Sequence, residues 1–272
     1  MCTLIVYYKI LSDYPIVVAA NRDEHYTRKA REPHVIHHQP RVYAGRDEQA
    51  GGTWLGANEF GLVVGLVNRH SPQPQDSARR SRGLLCLDLL CQKDANAARD
   101  VLLAEGRAQP YNGFYVWWAD HQHAYVAHNE GEITVRALKE GRYMLTNSSL
   151  IDLAVVTPAG LDNLLPEPAP GSLDALFGGL QGVCKTHQEM ARVVDPPNED
   201  RGNRAICVHA SDQYGTVSSS LVAIGREFAT SRYLHAEGPP CHTPYQDFSA
   251  LFTGSSGAAH QTASNAQITN PL

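Results

Sequence analysis

Met1-Cys2-Thr3-Leu4-Ile5-Val6-Tyr7-Tyr8, followed at Ile16-Val17-Val18-Ala19-Ala20 by Asn21-Arg22-Asp23-Glu24, is the stretch on which the reading turns. Thr3–Tyr8 and Pro15–Ala20 are β-branched, apolar runs separated by Lys9–Tyr14, the pattern of a hairpin. Methionine removal is favoured before a small residue such as Cys2, and it leaves a thiol and a free α-amine on one residue. Their reference pKa values, ~8.5 and ~7.7–8.0, put nucleophile and proton acceptor near neutrality together. Taken alone, Cys2 also reads as a small residue opening an edge strand. The polar run Asn21–Glu24 changes the weighting, because a hairpin brings the end of the second strand beside the start of the first. There Arg22 is expected to favour the ionised thiol, and Asp23 to orient the amine and stabilise its ammonium form.

Outward from this stretch, strands are expected at Gly52–Gly56 and Leu62–Asn68 around an Asn58–Gly61 turn. Helices are expected at Arg79–Cys91 and Ala95–Glu105, the second ended by Gly106. Strands resume at Phe114–Ala119, Ala124–His128, Ile133–Leu138 and Tyr143–Thr146. After a proline-rich loop at Pro158–Pro170 comes a helix, Leu173–Gln188, and then a polar loop, Val193–Asn203. Ala205–His209, Val217–Ile224 and Glu227–Leu234 read as the last strands. Residues 254–272 offer little to bury and are expected to be a disordered tail, leaving 1–253 as one domain. There is no internal repeat. Clustered strands with grouped helices indicate an α+β layered fold rather than a doubly wound sheet.

The motifs resemble those of the NRDE-motif proteins, the transport-and-Golgi-organisation family. Met1-Cys2, Ala19–Glu24, Gly51-Gly52-Thr53-Trp54-Leu55-Gly56, Tyr111-Asn112-Gly113-Phe114, Leu145-Thr146-Asn147-Ser148 and Tyr214-Gly215-Thr216 occur in the family's order. The resemblance implies a four-layer αββα fold of the N-terminal-nucleophile hydrolase type. A more distant likeness is to bile-salt hydrolases and penicillin V acylases, which also begin Met-Cys-Thr and carry Asn-x-Asp after the second strand. Asn58-Glu59-Phe60-Gly61-Leu62, Gly65-Leu66-Val67-Asn68 and Leu145-Thr146-Asn147 are similar to further acylase motifs. That likeness implies that Asn68 and Asn147 help to form an oxyanion hole. Two positions depart from the patterns: Ala20 replaces the arginine before Asn-x-Asp, and Val217 stands where NRDE proteins often carry arginine. Cys2, Arg22, Asp23, Asn68 and Asn147 are the catalytic candidates, and Asn21, Trp54 and Tyr214 the candidate substrate contacts.

Composition bounds the alternatives. A net charge of −5 and a pI near 6.2 argue against nucleic acid or an anionic membrane as partner. The basic cluster Arg79, Arg80 and Arg82 reads as a solvated helix start. No apolar run approaches the ~18–20 residues that span a bilayer, and the amino terminus lacks signal-peptide features. Six cysteines without CxxC spacing read as reduced thiols in a cytoplasmic protein. His34, His37 and His38 fall in a proline-flanked loop, and Cys207 with His209 is an incomplete ligand set, so no metal and no cofactor is expected. Gly51–Trp54 leads into a strand, not a helix, and lacks the context of a phosphate loop. Trp117 and Trp118 should point to opposite faces of one strand, inward and outward.

The expected activity is hydrolysis of a non-peptide or modified amide through an acyl-thioester on Cys2. The alternative is a binding or trafficking protein for a hydrophobic small molecule on the same fold. The partner expected is a small-molecule amide or hydrophobic ligand, with no stable membrane insertion and homo-oligomerisation left open.

Overall fold

A computed structural model describes residues 2–69, 74–147, 149–153, 165–167, 172–187 and 205–254. In chain order the strands begin with β1 (Thr3–Tyr8), β2 (Ile16–His25), β3 (Ala30–His38), β4 (Arg41–Asp47), β5 (Leu55–Asn58) and β6 (Val63–Asn68). Helices α1 (Arg82–Leu90) and α2 (Ala95–Ala108) follow. Then come β7 (Phe114–Ala119), β8 (Ala124–Asn129), β9 (Ile133–Leu138), β10 (Gly141–Leu145), β11 (Leu150–Asp152) and α3 (Leu173–Cys184). The described chain closes with β12 (Tyr214–Ile224), β13 (Arg232–Ala236) and β14 (Gln246–Asp247).

These strands form two seven-stranded antiparallel sheets, ordered β11-β10-β1-β2-β12-β13-β14 and β3-β4-β5-β6-β7-β8-β9. Side chains alternate across each strand, so every strand feeds two layers. Leu4, Val6 and Tyr8 of β1 meet Leu55, Val63 and Trp117 between the sheets. Ile5 and Tyr7 of the same strand pack with Leu176 and Leu180 of α3. On the far side, Val64 and Trp118 pack with Leu85 and Leu89 of α1 and Leu102 of α2. The result is a four-layer αββα architecture, as the resemblance implies. Because both faces of each sheet are covered, β1 is apolar throughout instead of alternating with polar residues. The same cover buries both tryptophans: Trp117 and Trp118 do face opposite ways, but the outward face lies under α2, where the Trp118 indole donates to the Ala95 carbonyl at 2.9 Å.

Side-chain caps set the helix starts. Ser81, Asp94 and Ser172 accept from Gly83, Ala97 and Ala175 respectively, so α1 begins at Arg82 rather than Arg79. Gly106 does not end α2. A Cβ there would lie 2.3 Å from Ile133 Cδ1, so the glycine admits β9 against the helix while the helix runs on.

Several expected boundaries shift. The proline-flanked His34–His38 segment is strand, the second half of β3, paired with β4 across two register irregularities. The expected Gly52–Gly56 strand is β5, Leu55–Asn58. Glu227–Leu234 divides into a 3₁₀ turn, Phe228–Thr230, and β13. Ala205–His209 belongs to no ladder among the described residues; a bridge joins His209 to Gly215. Most of Pro158–Pro170, all of Val193–Asn203 and the tail beyond Gly254 lie outside the described residues. Among the described residues no helix is long and apolar enough to cross a membrane.

Candidate active site

Strand register fixes where Cys2 sits. Thr3 pairs with Asn21 of β2, and Leu4 pairs with Leu145 of β10. Continuing the β2 ladder by one residue and the β10 ladder by two sets Cys2 at the end of an interior strand of the sheet, between Arg22 on one side and Asn147 on the other. Even-numbered residues of β1 face the second sheet, and Cys2 packs on that side.

The sulfur engages the backbone of Asp23, accepting from its N–H at 3.4 Å and donating to its carbonyl at 3.5 Å. In the chain that still carries Met1, burial and then the nearby Asp23 charge push the thiol up to about 11, against the charge of that amino terminus. Desolvation outweighs the attraction between Arg22 and an ionised Cys2, so the thiol rests protonated. Asp23 is itself buried. Desolvation raises its carboxyl to about 6, opposed by the amino-terminal charge and by the Thr216 hydroxyl, which donates to Oδ1 at 2.6 Å. Thr216 is held in turn by the Val208 N–H, which donates to its Oγ1 at 2.8 Å.

Cys2 lines a cleft of about 370 Å³ together with Arg22, Asp23, Trp54 and Asn68. The Arg22 guanidinium lies over the Trp54 ring, 4.7 Å from its centroid, a contact worth roughly 0.5–2 kcal/mol depending on desolvation. Asn68, at the end of β6, enters from the opposite sheet. Its backbone carbonyl accepts from the Asn147 side-chain amide, which ties the sheets together beside the thiol. Asn147 does not itself line the cleft, and its visible role is to hold Asn68.

Two candidate substrate contacts lie elsewhere. Asn21 faces away, towards α3, and its amide donates to the Cys184 and Ile206 carbonyls, both at 2.9 Å. Period-two alternation explains this, since Arg22 and not Asn21 shares the face of Cys2. The Tyr214 hydroxyl donates to the Asp23 carbonyl at 3.3 Å and holds the strand rather than opening into the cleft. Ala20, the first departure, packs into the core between the sheets, and Arg22 supplies a guanidinium on the same face two residues later. Val217, the second, lines a separate cavity of about 290 Å³ that also touches Arg22 and Arg28.

The three arginines expected at a solvated helix start are on the cleft wall. Gly52 explains their position: a Cβ there would fall 2.1 Å from the Gly83 carbonyl carbon, and Thr53 N–H donates to Gly83 O at 3.0 Å. That close approach brings the amino-terminal end of α1, with Arg79, Arg80 and Arg82, against the cleft. Arg28 is neutralised by Asp47 and Glu24, Arg79 by Asp76, and Arg80 by Asp88. Arg22 and Arg82 have no carboxylate partner among the described residues; Arg82 donates to the Gly113 carbonyl and to Gln75. Thr216 and Arg82 are functional candidates that emerge only from the fold. Thr216 lies inside a quoted motif, whereas Arg82 carries no local signal.

The Transport and Golgi organisation 2 family matches residues 1–234. A Bos taurus Transport and Golgi organization protein 2 homolog is 29% identical over 232 residues, covering 78% of this chain and 82% of the relative. The Homo sapiens homolog is 28% identical over 234 residues, with the same coverage of 78% and 82%. Among solved structures, penicillin V acylase from Agrobacterium tumefaciens superposes with a TM-score of 0.51 at 13% identity, covering 94% of this chain and 90% of that one. The C2A mutant of conjugated bile acid hydrolase from Clostridium perfringens gives 0.50 at 13% identity, covering 99% of each chain. These structural likenesses establish the fold.

Proposed function

This chain belongs to the Transport and Golgi organisation 2 family, and from that premise we propose that it is an amidohydrolase whose nucleophile is Cys2 once Met1 is removed. The substrate is a non-peptide or modified amide bearing an anionic group. One observation carries the reading: the Cys2 sulfur sits at the end of an interior strand, on the wall of a cleft, held to the Asp23 backbone beside a buried carboxyl.

In the proposed reaction the thiol passes its proton to the α-amine of the same residue as sulfur attacks the carboxamide carbon. A neutral resting thiol makes this acceptor necessary, because little thiolate exists at neutral pH when the pKa is about 11. Asp23 as carboxylate holds the resulting ammonium. The side-chain amide of Asn68, on the cleft wall and held there by Asn147, stabilises the oxyanion. Collapse breaks the C–N bond, the leaving amine takes the proton from the ammonium, and an acyl-thioester remains on Cys2. Water, deprotonated by the same α-amine, then releases the carboxylic acid and restores the thiol.

Arg22 and Arg82 support the anionic substrate class. Both are partly desolvated cations without a carboxylate partner among the described residues, and the capped start of α1 adds a favourable dipole. A cleft walled by five arginines and four carboxylates is poorly suited to carrying a hydrophobic molecule.

Intact-mass analysis tests the proposal. Protein purified without an amino-terminal tag should lack Met1. It should gain one acyl group on Cys2 from reactive amides or thioesters, faster when the donor bears a carboxylate than when it is the neutral methyl ester. Retention of Met1, or acylation confined to other residues, would end the enzymatic reading.

A further inference from the structure

Two cysteines and two histidines that the sequence keeps far apart converge beside α3. Cys207 and His209 come from the short segment ahead of β12, where the Cys207 sulfur and His209 Nε2 lie 3.7 Å apart. Their partners come from two other segments, His187 just beyond the end of α3 and Cys241 in the loop after β13. The four donor atoms lie within 4.8 Å of one another. The two sulfurs are 3.5 Å apart, and His209 Nε2 is 3.7 Å from Cys207 Sγ and 3.2 Å from Cys241 Sγ. The His187 and His209 rings are nearly parallel, with centroids 5.0 Å apart.

We propose that His187, Cys207, His209 and Cys241 bind one zinc ion in a closed, four-coordinate structural site. Tetrahedral zinc with Zn–S near 2.3 Å and Zn–N near 2.05 Å requires donor separations of about 3.8 Å for S···S, 3.5 Å for S···N and 3.3 Å for N···N. The three separations given above fall within about 0.3 Å of these values. Two thiolates cancel the charge of the ion, and their two protons go to solvent. Soft sulfur paired with imidazole suits zinc and excludes calcium or magnesium. Buried Cys207 anchors the site inside while His187 and His209 close it from the exposed side. Four protein ligands leave no open position, so the ion fixes structure and performs no chemistry. Its location connects it to the nucleophile, because Val208, between two ligands, positions Thr216, and Thr216 positions Asp23. Sequence could not show the set, because its ligands are at 187, 207, 209 and 241 and only one pair is close in the chain.

Zinc content of untagged protein after exhaustive dialysis is the first measurement, and about one equivalent per chain is expected. Replacement by Co²⁺ should give the visible bands and sulfur-to-metal charge transfer of a tetrahedral dithiolate site. Cys207→Ser with Cys241→Ser should abolish both signals. His187→Ala, an exposed change that spares the core, should weaken zinc more than ~100-fold in competition with a chelator, beyond the 10–100-fold typical of groups that only support ligands. His242→Ala, whose ring is 5.8 Å from that of His209, should leave affinity unchanged. Metal-free protein overturns the proposal, whether its two thiols are free or joined as a Cys207–Cys241 disulfide. So does zinc that survives His187→Ala but is lost with His242→Ala.

Discussion

Asp23→Asn should act in opposite directions on reactivity and turnover. The change is nearly isosteric, keeps the backbone N–H that reaches Cys2, and lets Thr216 donate to the new side-chain oxygen. What it removes is a negative charge that burial holds at a cost. A carboxyl raised from 3.8 to about 6 binds its proton more tightly in the folded state, so its contribution to stability is complete below pH 3.8 and is lost as pH rises through about 6. By neutral pH the loss amounts to roughly 3 kcal/mol, at 1.36 kcal/mol per pKa unit. Asparagine does not titrate, so the variant should match the parent near pH 4 and melt on the order of 5–10 °C higher at pH 7.5. The same lost charge, second only to burial in raising Cys2, should lower the thiol pKa from about 11. Each unit gained gives ~10-fold more thiolate but ~3-fold weaker nucleophilicity, for a net ~3-fold faster reaction with an aromatic disulfide. Turnover should nevertheless fall by ~100- to 10,000-fold, because the ammonium loses its counter-charge. Calorimetry at two pH values, disulfide exchange followed at Cys2 by mass spectrometry, and hydrolysis of an acylating substrate read the three effects. A folded variant whose Cys2 reacts more slowly, or whose melting temperature tracks the parent at both pH values, would refute the electrostatic reasoning.

Asn147→Ala should slow acylation of Cys2 by up to ~100- to 1,000-fold, the value of the Asn68 oxyanion donor that it positions, while alkylation of the thiol proceeds normally. Early melting with lost Cys2 reactivity would instead make it only a structural tie between the sheets. Asn58→Ala removes four bonds, two accepted from Phe60 and Leu62 and two donated to Leu90 and Gln92, so urea denaturation should show roughly 3–5 kcal/mol lost with Cys2 chemistry unchanged in the folded fraction. Gly52→Ala forces the start of α1 off the cleft wall; preference for carboxylate-bearing donors should fall more steeply than acylation by neutral ones, and an unaltered preference would detach α1 from substrate selection.

The sheets were legible because β1, the first half of β2 and β7 carry apolar runs rich in β-branched and aromatic residues. What misled was local polarity. Arg79, Arg80 and Arg82 look solvated in the chain, and only the Gly52–Gly83 backbone contact, which no periodicity encodes, reveals that they face Cys2. Prolines 33 and 40 hid β3, an edge strand that tolerates Pro33 within it and ends before Pro40. Within the site, the juxtaposition of Cys2, Arg22 and Asp23 followed from hairpin register alone. The assignment of Asn21 failed because alternation turns it towards α3. The direction of the Cys2 shift also escaped the sequence, since charge is visible in a chain and desolvation is not.

Antiparallel pairing of β1 with both β2 and β10 has a consequence for biosynthesis. β2 emerges at once, but β10 is made more than a hundred residues later, and Thr216, which secures Asp23, later still. Until then the strand that begins at Thr3 is an unfinished edge, and the residues ahead of it are open to an aminopeptidase; afterwards Thr3–Tyr8 is interior. Trimming and folding therefore compete in time. A synthesis rate of ~5–20 residues per second gives the processing enzyme roughly 10–40 seconds before the strand is sealed. A tag or leader fused ahead of Met1 would forfeit that interval and leave a well-folded protein with its nucleophile capped.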